Sequence, residues 1–208
     1  MTFTLPRLYA ITDTCLSGLT HAEQVERLAA GGATLVQLRD KLASPRELYE
    51  AARAAVQVAR ALGVRLIIND RLDIALAVDA DGVHLGQDDL PPERARALLG
   101  PQRLLGYSTH NLEQAVEADF TLVDYIAVGP VFQTTTKANP DPVIGLELIR
   151  ELKPFLTHPL VAIGGISLET APAVIAAGAD SIAVIADLYA TGDITAQARK
   201  YLQRLEAI

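Results

Sequence analysis

Gln37-Leu38-Arg39-Asp40-Lys41 places an amide, a guanidinium and an ammonium at every second position. On an extended strand, side chains two apart share a face, so these three point the same way. Arginine offers a planar fork for phosphate oxygens and lysine a mobile point charge, so the pattern suits a phosphorylated ligand. An internal ion-pair belt, with Asp40 or another acid as partner, is the competing reading. Two carboxylates stand further along, in Asn69-Asp70 and in Gln87-Asp88-Asp89. Asp70 and Asp89 suit Mg²⁺, a hard cation that takes one or two protein carboxylates and completes its shell with water and phosphate. A glycosidase pair is the rival, but Arg39, Lys41 and Lys137 fit an anion better than a neutral sugar. Each aspartate could instead cap a helix. His84 and His110 read as ligands, acid/base groups or, more simply, satisfied barrel-lining residues. Gln133-Thr134-Thr135-Thr136-Lys137 is too polar for a buried strand and a poor helix. It leaves an apolar run at Val128 and heads for two prolines.

The elements that must carry these residues repeat eight times. Strand-like runs cover Arg7–Thr12, Thr34–Leu38, Arg65–Ile68, Gly82–Leu85, Leu104–Tyr107, Tyr125–Val128, Leu160–Ile163 and Ser181–Ile185. Helical patterns fall near 20–31, 45–62, 71–78, 91–99, 111–118, 145–153, 168–177 and 193–205. Ser44-Pro45-Arg46-Glu47 supplies an N-cap, a first-turn proline and a capping acid. Gly31-Gly32, Gly63, Gly100 and Gly178 stand where helices should stop. Strands alternating with helices predict a parallel sheet, and near-continuous apolar strands predict cover on both faces. Eight units favour a single-domain (β/α)₈ barrel over residues 1–208. An open sheet would want a glycine-rich phosphate turn after its first strand, where the chain instead reads Thr12-Asp13-Thr14-Cys15.

Barrel chemistry sits at the C-terminal ends of strands. Those ends carry Thr12 and Asp13; Gln37, Arg39 and Lys41; Asn69 and Asp70; His84 to Asp89; Ser108 and His110; Thr134 to Lys137; Gly164 and Gly165; and Ala186-Asp187. Polar groups gathered on one rim are costly without partners, so a polar ligand is the simplest account. Gly164-Gly165 after the seventh strand suits a backbone phosphate grip.

Composition sets the frame. The chain has 208 residues, half of them apolar, with no Trp, so branched aliphatics must fill the core. One cysteine, Cys15, excludes an intrachain disulfide and fits a reducing compartment. A formal net charge of −7 argues against nucleic acid or an anionic membrane as partner. The N-terminus carries no basic leader followed by a long apolar stretch, and no run approaches the roughly 20 apolar residues of a membrane helix. The expected location is the cytoplasm. A homo-oligomer is compatible with the sequence, which sets no stoichiometry.

Seven segments in register resemble the thiamine-phosphate synthase family: QLRDK (37–41), NDR (69–71), DGVHLGQDDLP (81–91), GYSTH (106–110), VGPVFQTTTK (128–137), AIGGI (162–166) and AGADSIAVI (177–185). The resemblance runs from Leu8 to the C-terminal helix. It implies a Mg²⁺-dependent transferase that displaces diphosphate from an aminopyrimidine-methyl diphosphate with the ring nitrogen of a thiazole phosphate. It assigns Gln37, Arg39, Lys41, Asn69, Ser108 and Lys137 to the pyrimidine diphosphate. Arg39, Lys41, Ser108 and Lys137 would carry catalysis, and Asp70 and Asp89 the metal. Thr134, Thr135, Thr136, Gly165, Ile185 and Ala186 would hold the thiazole phosphate. The implied reaction is dissociative, so positioning and leaving-group stabilisation matter more than a nucleophilic side chain. A thiazole tautomerase of the same fold is the alternative, but such relatives lack the full QxRxK, ND and GQxD sets. Asn139–Pro142 is expected to close over the ligands.

The chain departs from the pattern at Ile185-Ala186-Asp187-Leu188, where the family usually has a serine. One hydroxyl donor to the thiazole phosphate is missing, a loss of about 1 kcal/mol. Ala186→Ser is therefore expected to lower the Michaelis constant for that substrate about fivefold; an unchanged constant in steady-state assays refutes this.

Overall fold

A computed structural model describes residues 4–134 and 141–206. Eight parallel strands close on themselves: β1 (Leu8–Ile11), β2 (Leu35–Leu38), β3 (Arg65–Asn69), β4 (Gly82–Leu85), β5 (Leu104–Thr109), β6 (Tyr125–Val128), β7 (Leu160–Ile163) and β8 (Ser181–Val184). Each pairs with its neighbours in sequence, and β8 returns to β1, with Tyr9 beside Ala183. The helices are α1 (Thr14–Ser17), α2 (His21–Ala30), α3 (Pro45–Leu62), α4 (Leu72–Ala77), α5 (Pro92–Leu99), α6 (Leu112–Asp119), α7 (Gly145–Leu152), α8 (Ala171–Ala176), α9 (Ala186–Tyr189) and α10 (Ile194–Glu206). The expected (β/α)₈ barrel is the fold. Two short helices, α1 and α9, were not expected: four residues are too few for a helical period to show in sequence.

Alternation along the strands builds two cores. On β1, Tyr9 and Ile11 face the barrel axis with Leu35, Ile67, Val161 and Ala183. Leu8 and Ala10, the other row, join Val36, Leu38, Leu66 and Ile68 in the larger core under the helices. Helix α3 buries Leu48, Ala52, Ala55, Val56 and Ala59, the stripe its 3.6-residue period predicts. Its start is the expected capping box: Ser44 Oγ accepts from the Glu47 N–H, and the Glu47 carboxylate accepts from the Ser44 N–H.

A second device recurs at the end of the barrel opposite the candidate residues. Asp81, Asp124 and Asp180 immediately precede β4, β6 and β8. Each donates its own N–H to a residue of the preceding strand and accepts that residue's N–H with its carboxylate. The partners are Leu66, Leu105 and Leu160, with N–H to carboxylate distances of 2.8, 2.7 and 2.8 Å. Arg96 and Lys153 add ion pairs to Asp124 and Asp180 at 2.6 Å. The clasp matches each outer N–H with a partner where the β-ladder has begun to run out.

Asp124→Ala removes the acceptor of the buried Leu105 N–H and the ion-pair partner of Arg96, which keeps its bonds to three carbonyls. We expect it to lower unfolding free energy by about 2 kcal/mol, read as a lower urea midpoint, with Michaelis constants unchanged.

Candidate active site

A cavity of about 790 Å³ opens at the C-terminal ends of the strands. Of the expected site residues that are described, all line it: Gln37, Arg39, Lys41, Asn69, Asp70, Asp89, Ser108, Thr134, Gly165, Ile185 and Ala186. Thr135, Thr136 and Lys137 lie outside the described residues, as do 138–140 of the segment expected to close.

The floor is made by a neutral hydrogen-bonded chain. Gln37 Nε2 donates to the Tyr9 hydroxyl at 2.9 Å. Tyr9 and Tyr125 hydroxyls lie 2.9 Å apart, and Tyr125 Oη is 3.1 Å from His84 Nδ1. His84 Nε2 is 2.8 Å from Ser108 Oγ. One proton ordering gives every buried hydroxyl an acceptor: Tyr9 to Tyr125, Tyr125 to His84 Nδ1, and His84 Nε2–H to Ser108. The Ser108 proton is then left to point into the cavity. Burial, partly opposed by the negative charge of Asp70, pushes the His84 pKa down to about 4, so the ring is neutral. Gln37 thus sits deeper than expected: it is buried and tied to Tyr9 rather than sharing the open rim with Arg39 and Lys41. His84 is the satisfied lining residue. Tyr9 and Tyr125 were missed in sequence; their signal was a hydroxyl on an inward row of an otherwise apolar strand, which must find a partner when buried. Gly106 makes room for Tyr125, since a Cβ there would stand 2.1 Å from its ring.

Above the floor the charges gather. Among the described residues the Arg39 guanidinium has no ion-pair partner, while Lys41 Nζ lies 3.2 Å from Asp70 Oδ2. Asp40 is not the partner of either cation. Its Oδ1 accepts from the Leu42 and Ala43 N–H groups at 2.9 and 3.0 Å, and its Oδ2 faces His21. The ion-pair belt is therefore confined to Lys41. Asp70 does not cap α4, whose first flanking residue, Arg71, has no capping side chain. Asp70 has φ +60°, a left-handed conformation that aspartate tolerates better than most residues. Asp89 Oδ2 accepts from the Gly86 N–H at 2.7 Å, within its own loop, and does not cap α5. Burial raises the Asp89 carboxyl above the usual range, and the adjoining Asp70 carboxylate adds to the rise. Two acids this close call for a cation between them. Among the described residues no group of three or more His, Cys, Asp or Glu side chains is gathered for a metal. A two-carboxylate site fits an ion that draws its other ligands from water and phosphate, which is Mg²⁺ rather than Zn²⁺.

Across the cavity lies a glycine-lined cup. Gly164 and Gly165 have φ of +101° and +65°. A Cβ on Gly164 would stand 2.5 Å from Pro130 Cα, and one on Gly165 2.3 Å from the Gln133 carbonyl oxygen. The loop after β7 is thus pressed against the loop after β6, and no side chain fits between. His110 Nδ1 lies 2.8 Å from the Gly129 carbonyl, holding the start of the loop after β6. Cations and paired acids on one wall, and exposed backbone on the other, suit two phosphorylated ligands side by side.

A family model described as thiamine monophosphate synthase matches residues 8–188. The chain belongs to that family. A thiamine-phosphate synthase of Koribacter versatilis is 49% identical over 212 residues, covering 98% of this chain and 97% of its own length. One from Chloroflexus aurantiacus is 49% identical over 195 residues, covering 93% and 90%. The solved structure of a thiamine phosphate pyrophosphorylase from Pyrococcus furiosus superposes with a TM-score of 0.87 at 38% identity, covering 97% of this chain and 96% of that one. Every candidate site residue lies inside the span of the thiamine monophosphate synthase match.

His84 carries a pH prediction. Its pKa is about 4 folded and about 6.5 unfolded, so between these values the unfolded chain binds more protons. Its contribution is intact above pH 6.5 and is lost as pH falls toward 4, by about 3 kcal/mol. His21, whose pKa burial also lowers, acts in the same direction. His84→Gln is expected to flatten the dependence of unfolding free energy on pH in that window; an unaltered slope in urea titrations refutes it.

Proposed function

We propose that this protein makes thiamine phosphate. It joins 4-amino-2-methyl-5-(diphosphooxymethyl)pyrimidine to 4-methyl-5-(2-phosphoethyl)thiazole, with or without its 2-carboxyl group, and releases diphosphate. The C–O bond to the diphosphate breaks, and the C–N bond from the thiazole nitrogen to the pyrimidine methylene forms. The observation that carries this reading is the family membership together with one cavity that sets cations and paired carboxylates opposite a glycine-lined cup.

The expected site residues divide the work. Arg39 and Lys41 meet the diphosphate where negative charge grows as the bond breaks, with Lys137 as a third cation. Asp70 and Asp89 would hold Mg²⁺, which when bound supplies charge to the leaving diphosphate. A cation held by Asp70 would compete for the carboxylate that Lys41 now pairs with, which would leave the Lys41 ammonium to serve the substrate. Ser108 offers its hydroxyl proton to the pyrimidine diphosphate, and Asn69 adds an amide beside it. Gly165, Ile185, Ala186 and the Thr134–Thr136 run hold the thiazole phosphate, largely through backbone N–H groups and hydroxyls. The neutral hydrogen-bonded floor, His84 included, brings no charge to the developing pyrimidine-methyl cation. Among the described residues no helix is long and apolar enough to cross a membrane, and with one cysteine we place the enzyme in the cytoplasm.

The test is incubation with both substrates and Mg²⁺, following thiamine phosphate and diphosphate. Product in equal amounts is expected. Tautomer conversion of the thiazole without product refutes the reading in favour of an isomerase. Asp89→Ala should cut turnover at least 100-fold, roughly one oxyanion-scale contact, with partial rescue by excess Mg²⁺. Turnover independent of Mg²⁺ in the wild type removes the metal from the site.

A further inference from the structure

The loop after β7 and the turn after β8 meet at one carboxylate oxygen. Asp187 Oδ2 accepts from the Tyr201 hydroxyl at 2.6 Å, from Gln197 Nε2 at 3.0 Å and from the Leu168 N–H at 3.2 Å. Two of these donors belong to α10 and the third to the segment that leaves Gly164 and Gly165. Tyr201 and Gln197 are buried, so water cannot readily replace Asp187 as their acceptor. Burial, with Asp187 adding to it, pushes the Tyr201 hydroxyl far up, so it remains a donor at any working pH. Three donors on one oxygen also blunt the negative charge that Asp187 brings to the edge of a phosphate site.

The loop after β7 is consequently fixed on two sides by different means. Loop β6 holds it by shape, through Pro130 and Gln133 against the two glycines. Asp187 holds it by accepting from the Leu168 N–H while tied to α10 through Tyr201 and Gln197. Ala186, next in the chain, lines the same cavity and has no hydroxyl.

We infer that Asp187 is a positioning residue for the thiazole-phosphate cup: it sets the spacing between the backbone N–H groups of the loop after β7 and those of the turn after β8, without touching the phosphate itself. The inference rests on the functional reading above. Because residue 186 offers no hydroxyl, affinity for the phosphate depends more heavily on where those N–H groups stand.

The test is calorimetric titration of 4-methyl-5-(2-phosphoethyl)thiazole into wild type, Asp187→Ala, Asp187→Asn and Tyr201→Phe, with steady-state constants for both substrates. Asp187→Ala should weaken binding about tenfold and raise the Michaelis constant for the thiazole phosphate by a similar factor. The Michaelis constant for the pyrimidine diphosphate should stay within about twofold. Asp187→Asn keeps an amide oxygen for Tyr201 and the Leu168 N–H, and should recover most of the loss. Tyr201→Phe should show the same split at about threefold, and it decides the matter if Asp187→Ala does not fold. A folded Asp187→Ala protein that binds like wild type, or raises both Michaelis constants together, overturns the inference while leaving the proposed reaction intact. Wild-type protein that binds no thiazole phosphate overturns the reaction and the inference together.

Discussion

Each strand of a closed parallel barrel turns only alternate side chains toward the axis, and this constraint orders everything in the cavity by depth. Leu35, Ile67, Val161 and the ring of Tyr9 form the apolar base under the hydrogen-bonded floor. Two residues on from Leu35 and Ile67 come Gln37 and Asn69, polar but neutral, with His84 and Ser108 on the adjoining strands β4 and β5. Beyond them, where strands give way to loops, come Arg39, Lys41, Asp70 and Asp89. Polarity rises toward solvent, so no charge is buried without water or a ligand to meet it.

The charged tier is balanced so that substrate and metal can rearrange it. Lys41 leans on Asp70, and the Asp89 carboxyl is disfavoured as an anion by burial and by Asp70 beside it. The divalent cation proposed above would relieve both conditions at once, since it would take the carboxylates and free the ammonium. Asp40, by contrast, is committed to the backbone of its own loop and to His21, which keeps Arg39 clear of an internal partner.

Much of this was legible in the chain. The eight strand runs were placed within two residues at each end, because buried parallel strands are continuous apolar stretches. The tiers at the mouth were legible through spacing two, as in Gln37, Arg39 and Lys41. What escaped depended on partners remote in sequence. Tyr9 and Tyr125 are 116 residues apart, and nothing local announces that their hydroxyls meet. Asp70 and Asp89 looked equally able to cap helices, and only the position of the helix starts removed that option. Asp187 looked like an acid out of place until α10 supplied its donors. The three Asp clasps were legible in principle, as an aspartate directly before every second strand from the fourth, but a repeat at about 43 and 56 residues is easily hidden by unequal helices and loops.

Those clasps divide the labour between the two ends of the barrel. Asp81, Asp124 and Asp180 fasten pairs of strands at the base, far from every residue that meets a ligand. Loops at the mouth can therefore change sequence, length or charge without loosening the seams that keep the strands in register. For an evolving lineage this makes the cavity a replaceable part: new substrates can be tried at the mouth while the base goes on holding the barrel shut.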